Sequence, residues 1–274
     1  MTYSTGYIPD PPEHCKTEFE HHARLLGSGG GRIASVSLSK VMPNGQHFDQ
    51  GGTSSCTGNA LSAAICMAFW NASPEVKAQL TFVSSQSGIY TIGRCLDRRR
   101  LSGGGFPKLK DNGAMPNQVV RGVNTYGVSP MVSLADRYSD ADPATINDEP
   151  QFEDLETDSR MLVIGSYGIT STGAKRISDM RTALAAGIPL PAAVNAGADA
   201  FQGYEGGLLT GAQLPGELDH YIVISGYRTL PNGKTVFELW NSWADSWGVG
   251  GSAELDESAA QTLGDIYAII AARG

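Results

Sequence analysis

The segment Gln50-Gly51-Gly52-Thr53-Ser54-Ser55-Cys56 sets a thiol where a Gly/Ser-rich turn runs into small residues, Thr57-Gly58-Asn59-Ala60-Leu61-Ser62-Ala63-Ala64, that open a helix. A helix start presents unpaired backbone N–H groups and the positive end of the dipole. A thiol there is expected to lose its proton more easily than free cysteine, whose pKa is about 8.5. Cys56 is thereby a candidate nucleophile. Gln50 can fold back beside it and offer its amide to a developing oxyanion. Most cysteines are small core residues instead, so this reading needs a base to take the thiol proton and a third group to orient that base. Such partners usually lie far away in sequence.

Two C-terminal segments supply them: Leu218-Asp219-His220-Tyr221-Ile222-Val223-Ile224 and Phe237-Glu238-Leu239-Trp240-Asn241-Ser242-Trp243. The residues after His220 and those from Thr235 to Trp240 are rich in aromatic and β-branched types. Between them, Leu230-Pro231-Asn232-Gly233-Lys234 carries the hairpin signal Asn-Gly. Two antiparallel strands are expected, His220 opening the first and Asn241 closing the second. A turn centred on Asn232-Gly233 pairs Asn241 with a residue a few positions inside the first strand; a bulge or a longer loop would bring His220 and Asn241 level. An Asn241 amide oxygen accepting from the imidazole would hold one tautomer. Trp243 could cover that bond from water, and low local dielectric would strengthen it.

The elements that must position these groups are partly visible. Leu61, Ala64, Ile65, Ala68 and Phe69 recur at helical spacing until Asn71-Ala72-Ser73-Pro74 stops them. Pro116 opens a second helix that places Val119, Val123 and Tyr126 on one face and ends at Gly127. From about 128 onward the pattern turns to strands. Asp136 to Asp158 is acidic and turn-rich and reads as a surface insertion. Ser178 is expected to cap a helix with Met180, Ala183 and Leu184 facing inward and Gly187 ending it, before a strand over Leu190 to Val194. Residues 1–34 are polar and finish in Gly27-Ser28-Gly29-Gly30-Gly31, a flexible composition.

Composition limits the function classes. A chain of 274 residues, 41% apolar, is long enough for one large domain or two packed lobes without staples. Its net charge of −8 argues against nucleic acid or an anionic membrane as main partner, and no run approaches the length needed to span a bilayer. The Ser102-Gly103-Gly104-Gly105-Phe106-Pro107 loop lacks the Lys-Ser/Thr of a phosphate cradle. No secretory signal is visible at the N-terminus, and Cys15, Cys66 and Cys95 have no obvious even pairing, which favours a reducing compartment such as cytoplasm. His14-Cys15 and His21-His22 match no zinc spacing, so no metal is expected.

Taken together these segments resemble the papain-like cysteine peptidase family. Gln50 to Cys56 matches its Gln-Gly-x-Cys-Gly-Ser-Cys; Asp219-His220 matches its Asp-His before an apolar strand; Asn241-Ser242-Trp243-Ala244-Asp245-Ser246-Trp247-Gly248 matches its Asn-Ser-Trp-Gly-x-x-Trp-Gly, with Ala244 replacing a glycine. Asn112-Gly113-Ala114-Met115-Pro116 resembles its Asn-Gly-Gly-x-Pro cleft wall. The anchors cover roughly residues 35 to 256.

The resemblance implies an α+β, papain-like two-lobe fold over residues 35–274. A helical lobe, about 45–127, would carry the nucleophile, and a β-rich lobe, about 128–274, would carry the histidine and asparagine. Residues 1–34 would be an N-terminal extension or short pro-segment that either occupies part of the cleft or leaves the enzyme active as made. Cys56, His220, Asn241 and Gln50 would be the catalytic set, acting through a thioester on a polypeptide substrate and needing no cofactor. Gly113, Ala114, Asp219, Tyr221 and Trp243 would bind substrate, Ala114 and Tyr221 narrowing the pocket for the residue two before the scissile bond. The same triad could serve another acyl transfer, such as cleavage of cell-wall amides or isopeptides or transpeptidation, or survive unused in a binding or structural homologue. The family's usual cleft disulfide is missing, since its places hold Thr53 and Asp111, and Thr57 stands where a tryptophan commonly follows the nucleophile. Both features resemble the bacterial and viral branch, as does the weaker leader match Ile8-Pro9-Asp10-Pro11-Pro12.

Overall fold

Helix α1, Cys56–Trp70, is buried from Cys56 through Phe69 on every side. The five apolar positions read at helical spacing mark one face of a helix that has no solvent face. Small and hydroxyl side chains fill the rest, and the polar ones are satisfied locally: Ser62 Oγ donates to the Ser84 carbonyl at 2.7 Å and Asn59 Nδ2 to the Ser55 carbonyl at 3.0 Å. These details come from a computed structural model that describes residues 3–11, 19, 33–42, 47–97, 108–131, 142–144, 146–147 and 164–271. The Gly27–Gly31 stretch, Cys15 with its neighbouring histidines, the 102–107 loop and most of the 136–158 insertion lie outside the described residues.

Helix α2, Gln86–Asp97, was not legible as a helix. Its glycines obscure the apolar period, yet they are what lets it pack. A β-carbon on Gly93 would sit 2.6 Å from Val119 Cγ2 of helix α3, Pro116–Tyr126, and one on Gly122 of α3 would sit 2.6 Å from Ile92 Cγ2. Gly127 ends α3 with a φ of 77°, as expected for a glycine stop. Part of the acidic insertion is not surface: Ile146 is buried, and Arg94 of α2 donates to its carbonyl and to Asn147 Oδ1.

The second half is built on an antiparallel sheet. Its strands are β1 (Ser35–Ser37), β3 (Leu190–Val194), β4 (Leu208–Leu209), β5 (His220–Thr229), β6 (Thr235–Trp240) and β7 (Ser252–Leu255), in the order β1-β5-β6-β7-β4 with β3 also on β5; only β4 and β7 pair in parallel. A separate pair joins β2 (Ile164–Gly168) to β8 (Tyr267–Ala271). Helix α4 runs over Gly173–Ala185 after Thr172, so the expected cap at Ser178 is corrected: Ser178 is an interior residue of this helix. Its first turn, Gly173-Ala174-Lys175-Arg176, carries no buried apolar side chain to announce it. Met180, Ala183 and Leu184 face inward as expected. Helices thus come mostly from the first half and the sheet from the second, an α+β arrangement in which α1 packs against β5.

Candidate active site

Cys56 is the first residue of α1 and is fully buried. The turn before it is held at several points. The Thr53 amide and hydroxyl both donate to the Gln50 carbonyl, at 3.1 and 2.7 Å. The Ser54 amide donates to both carboxylate oxygens of Asp111, at 2.9 and 3.0 Å, and the Tyr90 hydroxyl donates to Asp111 Oδ1 at 2.9 Å. Asp111 therefore ties down the turn before Cys56 by hydrogen bonds where the resemblance would have put a disulfide. Among the described residues Cys56 and Cys66 carry free thiols.

His220 and Asn241 meet across the hairpin. The β5–β6 register shifts between Ile224 and Gly226, a bulge at Ser225, and Trp240 pairs with Val223. Asn241 is then diagonal to His220, and the imidazole Nε2 lies 2.7 Å from Asn241 Oδ1. The Ser242 amide donates to the same oxygen at 2.8 Å. Trp243 stacks on the imidazole with ring centroids 4.6 Å apart, and Phe201 meets it edge-on at 6.3 Å. The other ring nitrogen, Nδ1, is buried without a hydrogen-bond partner.

Burial sets the ionisation of both groups. It pushes the Cys56 thiol up to about 12, outweighing the opposing backbone hydrogen bonds at Tyr221, Gly6 and Thr57. It pushes His220 down to about 4, against a smaller opposite effect of Asn241. The easily lost proton expected of a helix-start thiol is not found in this arrangement, because desolvation exceeds what the helix end offers. Thiol and imidazole are both neutral here near pH 7.

A strip of the N-terminal arm, residues 3–11, crosses the site, with the Gly6 backbone against the Cys56 thiol. Gln50 Nε2 donates to the Ser4 carbonyl at 3.0 Å and to the Thr53 carbonyl at 2.9 Å, while Gln50 Oε1 accepts from Ser242 Oγ at 2.7 Å. Trp243 Nε1 also donates to the Ser4 carbonyl, at 3.1 Å, and Tyr3 stacks on the Trp243 ring with centroids 4.4 Å apart. The Asp219 carbonyl accepts from the Gly6 and Tyr7 amides, at 3.2 and 3.1 Å. The Ala114 amide donates to the Gly6 carbonyl at 3.0 Å and the Ile8 amide to the Ala114 carbonyl at 3.2 Å, a parallel bridge. Gly113, at a φ of 96°, lies so close that a β-carbon would be 2.2 Å from the Gly6 oxygen. The Tyr7 ring lies flat against Tyr221, 5.8 Å away and within 2° of parallel.

Each residue expected from sequence therefore touches this strip or another member of the set. Four were missed: Tyr7, Asp10, Asp265 and Tyr267. The Tyr7 hydroxyl donates to Asp265 Oδ2 at 2.5 Å, the Asp10 amide to the same oxygen at 2.9 Å, and the Tyr267 hydroxyl to Asp10 Oδ2. These partners lie more than 250 positions apart, and no local pattern announces them. Among the described residues no cluster of three His, Cys, Asp or Glu could hold a metal, and no helix is long and apolar enough to cross a membrane.

A sequence profile described as papain family cysteine protease matches residues 112–266. Cysteine proteinase RD21A of Arabidopsis thaliana is 31% identical over 112 residues, 41% of this chain and 23% of that protein. The first curated relatives are each matched over less than a quarter of their own length. In fold the chain is similar to xylellain, a cysteine protease from Xylella fastidiosa, with a TM-score of 0.67 and 23% identity over 99% of this chain and 97% of that one. It is also similar to digestive procathepsin L 3 of the Tenebrio molitor larval midgut, with a TM-score of 0.64 and 20% identity over 89% and 71%.

Proposed function

Because the chain belongs to the papain family of cysteine proteases, we propose that it is a cysteine endopeptidase held latent by its own N-terminal arm. In the active form Cys56 attacks the scissile carbonyl carbon as thiolate, and the oxyanion forms against Gln50 Nε2 and the Cys56 backbone N–H. A preorganised donor of this kind is typically worth about 3 to 4 kcal/mol. His220, oriented by Asn241, protonates the departing amine as the C–N bond breaks, leaving a thioester. It then takes a proton from water, which attacks the thioester and releases the acid and the thiol.

The observation that supports this reading most is the Ser4 carbonyl on Gln50 Nε2 at 3.0 Å, a peptide oxygen already seated on the candidate oxyanion donor. The arm is not cut in place, on this reading, because it runs the wrong way. The resemblance puts the residue two before the scissile bond against Ala114, on the acyl side. In the arm the residue bridged to Ala114 is Tyr7, which follows Ser4 rather than preceding it. Covered in this way, the thiol and imidazole lose the solvation that an ion pair requires.

The test is active-site labelling with a thiol-directed epoxide together with peptide-library cleavage, on the parent chain and Cys56→Ala. Labelling at Cys56 and loss of cleavage in the variant are expected. Cleavage that survives the substitution would remove the proposal.

A further inference from the structure

We propose that His47 is a positioning residue: it clasps the segment carrying Gln50 to the loop that begins at Asn241, and so keeps the oxyanion donor in register with the group that orients the imidazole of His220. This rests on the protease reading above and deepens it, by naming a residue to which neither the sequence pattern nor the comparisons assign a role.

Two short segments run side by side next to the site. The Gln50 amide donates to the Ser242 carbonyl at 2.9 Å, Asp49 bridges Trp243 in the antiparallel sense, and the Ala244 amide donates to the Phe48 carbonyl at 3.0 Å. His47 makes the next contact along, its amide donating to Asp245 Oδ1 at 2.9 Å. Its side chain then crosses the loop. Nδ1 lies 3.3 Å from the same carboxylate oxygen, and Nε2 lies 3.0 Å from Ser252 Oγ, on the residue that pairs with Trp240 in the sheet. The ring stacks on Trp240 with centroids 4.9 Å apart and 22° between the planes, and a β-carbon on Gly251 would sit 2.2 Å from its Cγ. The Gly251 carbonyl in turn accepts from the Asn241 amide at 3.1 Å. One imidazole therefore grips the middle and the end of the Asn241–Ser252 loop and presses on the residue that holds Asn241.

A carboxylate only accepts, so Nδ1 carries the proton and Nε2, bare in the neutral ring, accepts from the Ser252 hydroxyl. Burial lowers the His47 pKa from its ordinary value, against Asp245 and Glu238, which keeps the ring neutral near pH 7 and this polarity in place. His47 is only 7% exposed, and a phenyl ring there would stack on Trp240 without the cost of desolvating two nitrogens. What the imidazole adds is direction: two hydrogen bonds from a rigid ring fix the offset of one segment against the other. That offset matters at Gln50, whose Oε1 is held by Ser242 Oγ at 2.7 Å while its backbone belongs to the other segment. A slip between the segments turns the amide and carries Nε2 away from the oxyanion, and misplacement by about 1 Å is worth about a hundredfold in rate.

The experiment compares two reactions of Cys56 in the full chain. Peptide cleavage passes through an oxyanion at Gln50, whereas the thiolate opens an epoxide by attack on carbon with loss of a C–O bond and no tetrahedral carbonyl intermediate. Both rates scale with the fraction of chains that are folded with an open cleft, so the ratio of kcat/KM to labelling rate does not. His47→Phe, which keeps the stack on Trp240, is expected to lower this ratio by about tenfold or more, through kcat rather than KM. Asp245→Ala, at a half-exposed position, is expected to lower it by at least about threefold and covers the case in which His47→Phe fails to fold. In a Gln50→Ala chain, where the donor is already gone, His47→Phe should change the ratio by less than about twofold. A ratio unchanged in both single variants, or effects of His47 and Gln50 that multiply, would overturn the proposal.

A second readout needs no hydrolysis. Hydrogen exchange at the Gln50, Ala244 and Asn241 amides reports the pairing itself. Each is expected to exchange at least about tenfold faster in His47→Phe than in the parent, while Ile65 within α1 keeps its rate; unchanged exchange at the three amides would refute the clasp. Should the parent chain cleave no peptide at all, the protease reading fails while these exchange rates still decide whether His47 holds the two segments together.

Discussion

Gly6 packs against Ser54 with no room for a side chain: a β-carbon there would sit 1.9 Å from the Ser54 carbonyl oxygen. The contact is backbone against backbone, in the turn that leads into Cys56, so neither partner can yield cheaply. Gly6→Val should therefore prevent the arm from seating while leaving the rest of the fold intact. The expected result is epoxide labelling of Cys56 faster by at least about tenfold, with a parallel rise in peptide cleavage. Equal labelling rates in variant and parent would show that the arm does not guard the thiol.

The pH dependence of that labelling is a separate test. Thiolate is the reactive form, and burial holds the covered thiol up near about 12. In the parent chain the labelling rate should climb about tenfold per pH unit from 7 to 10. In Gly6→Val, if the thiol pairs with His220 as proposed, labelling should already be substantial near neutrality and rise less steeply.

His220 links the fold to acid. Its ordinary value is 6.5 and burial lowers it to about 4 in the folded chain. Below pH 6.5 the unfolded chain takes up a proton that the folded chain refuses, so stability is fully present above 6.5 and falls as pH drops toward 4. Between pH 7.5 and 5 this group accounts for a loss of about 2 kcal/mol. Denaturant unfolding at the two pH values, compared with His220→Gln, checks it: the variant should lose about 2 kcal/mol less over that range.

Asp111 replaces a crosslink with hydrogen bonds, accepting from the Ser54 amide and the Tyr90 hydroxyl. Asp111→Ala strands both donors and should destabilise the chain by about 2 kcal/mol, with Asp111→Asn intermediate. Because Ser54 lies two residues before Cys56, cleavage by an open variant should also fall. Unfolding free energies close to the parent's would rule out the stitch.

Ala244 lies at a φ of 58°, where the resembled family carries glycine. Left-handed backbone costs an alanine about 1 kcal/mol, partly offset by the entropy glycine loses on folding. Ala244→Gly should stabilise the chain by about 0.5 kcal/mol, read as a rise in the denaturant midpoint with unchanged slope.

The parts of the fold that were legible rest on short-range rules. Cys56 opening a helix, the Asn71–Pro74 stop, the Pro116 start, the Gly127 end and the hairpin around Asn232-Gly233 each depend on a handful of neighbouring residues. Helix α2 was missed because Gly88 and Gly93 break its apolar period, and the reason for Gly93, contact with Val119, lies on another helix. The start of α4 was missed because its first turn is exposed.

The sequence by itself determined which side chains could do the chemistry, Gln50, Cys56, His220 and Asn241, and the local elements that carry them, because residue type and spacing suffice for that. Only the tertiary structure decided that a bulge at Ser225 sets Asn241 diagonal to His220, that the strip from Tyr3 to Asp10 crosses the site, and that the Tyr7 hydroxyl meets Asp265. It also decided the ionisation. A helix-start thiol would be acidic on local grounds, but burial makes it a poor acid, with the Gly6 backbone, some fifty residues upstream, against it. Desolvation depends on everything that covers a group, and what covers Cys56 is brought there by contacts that the chain makes only once it has folded.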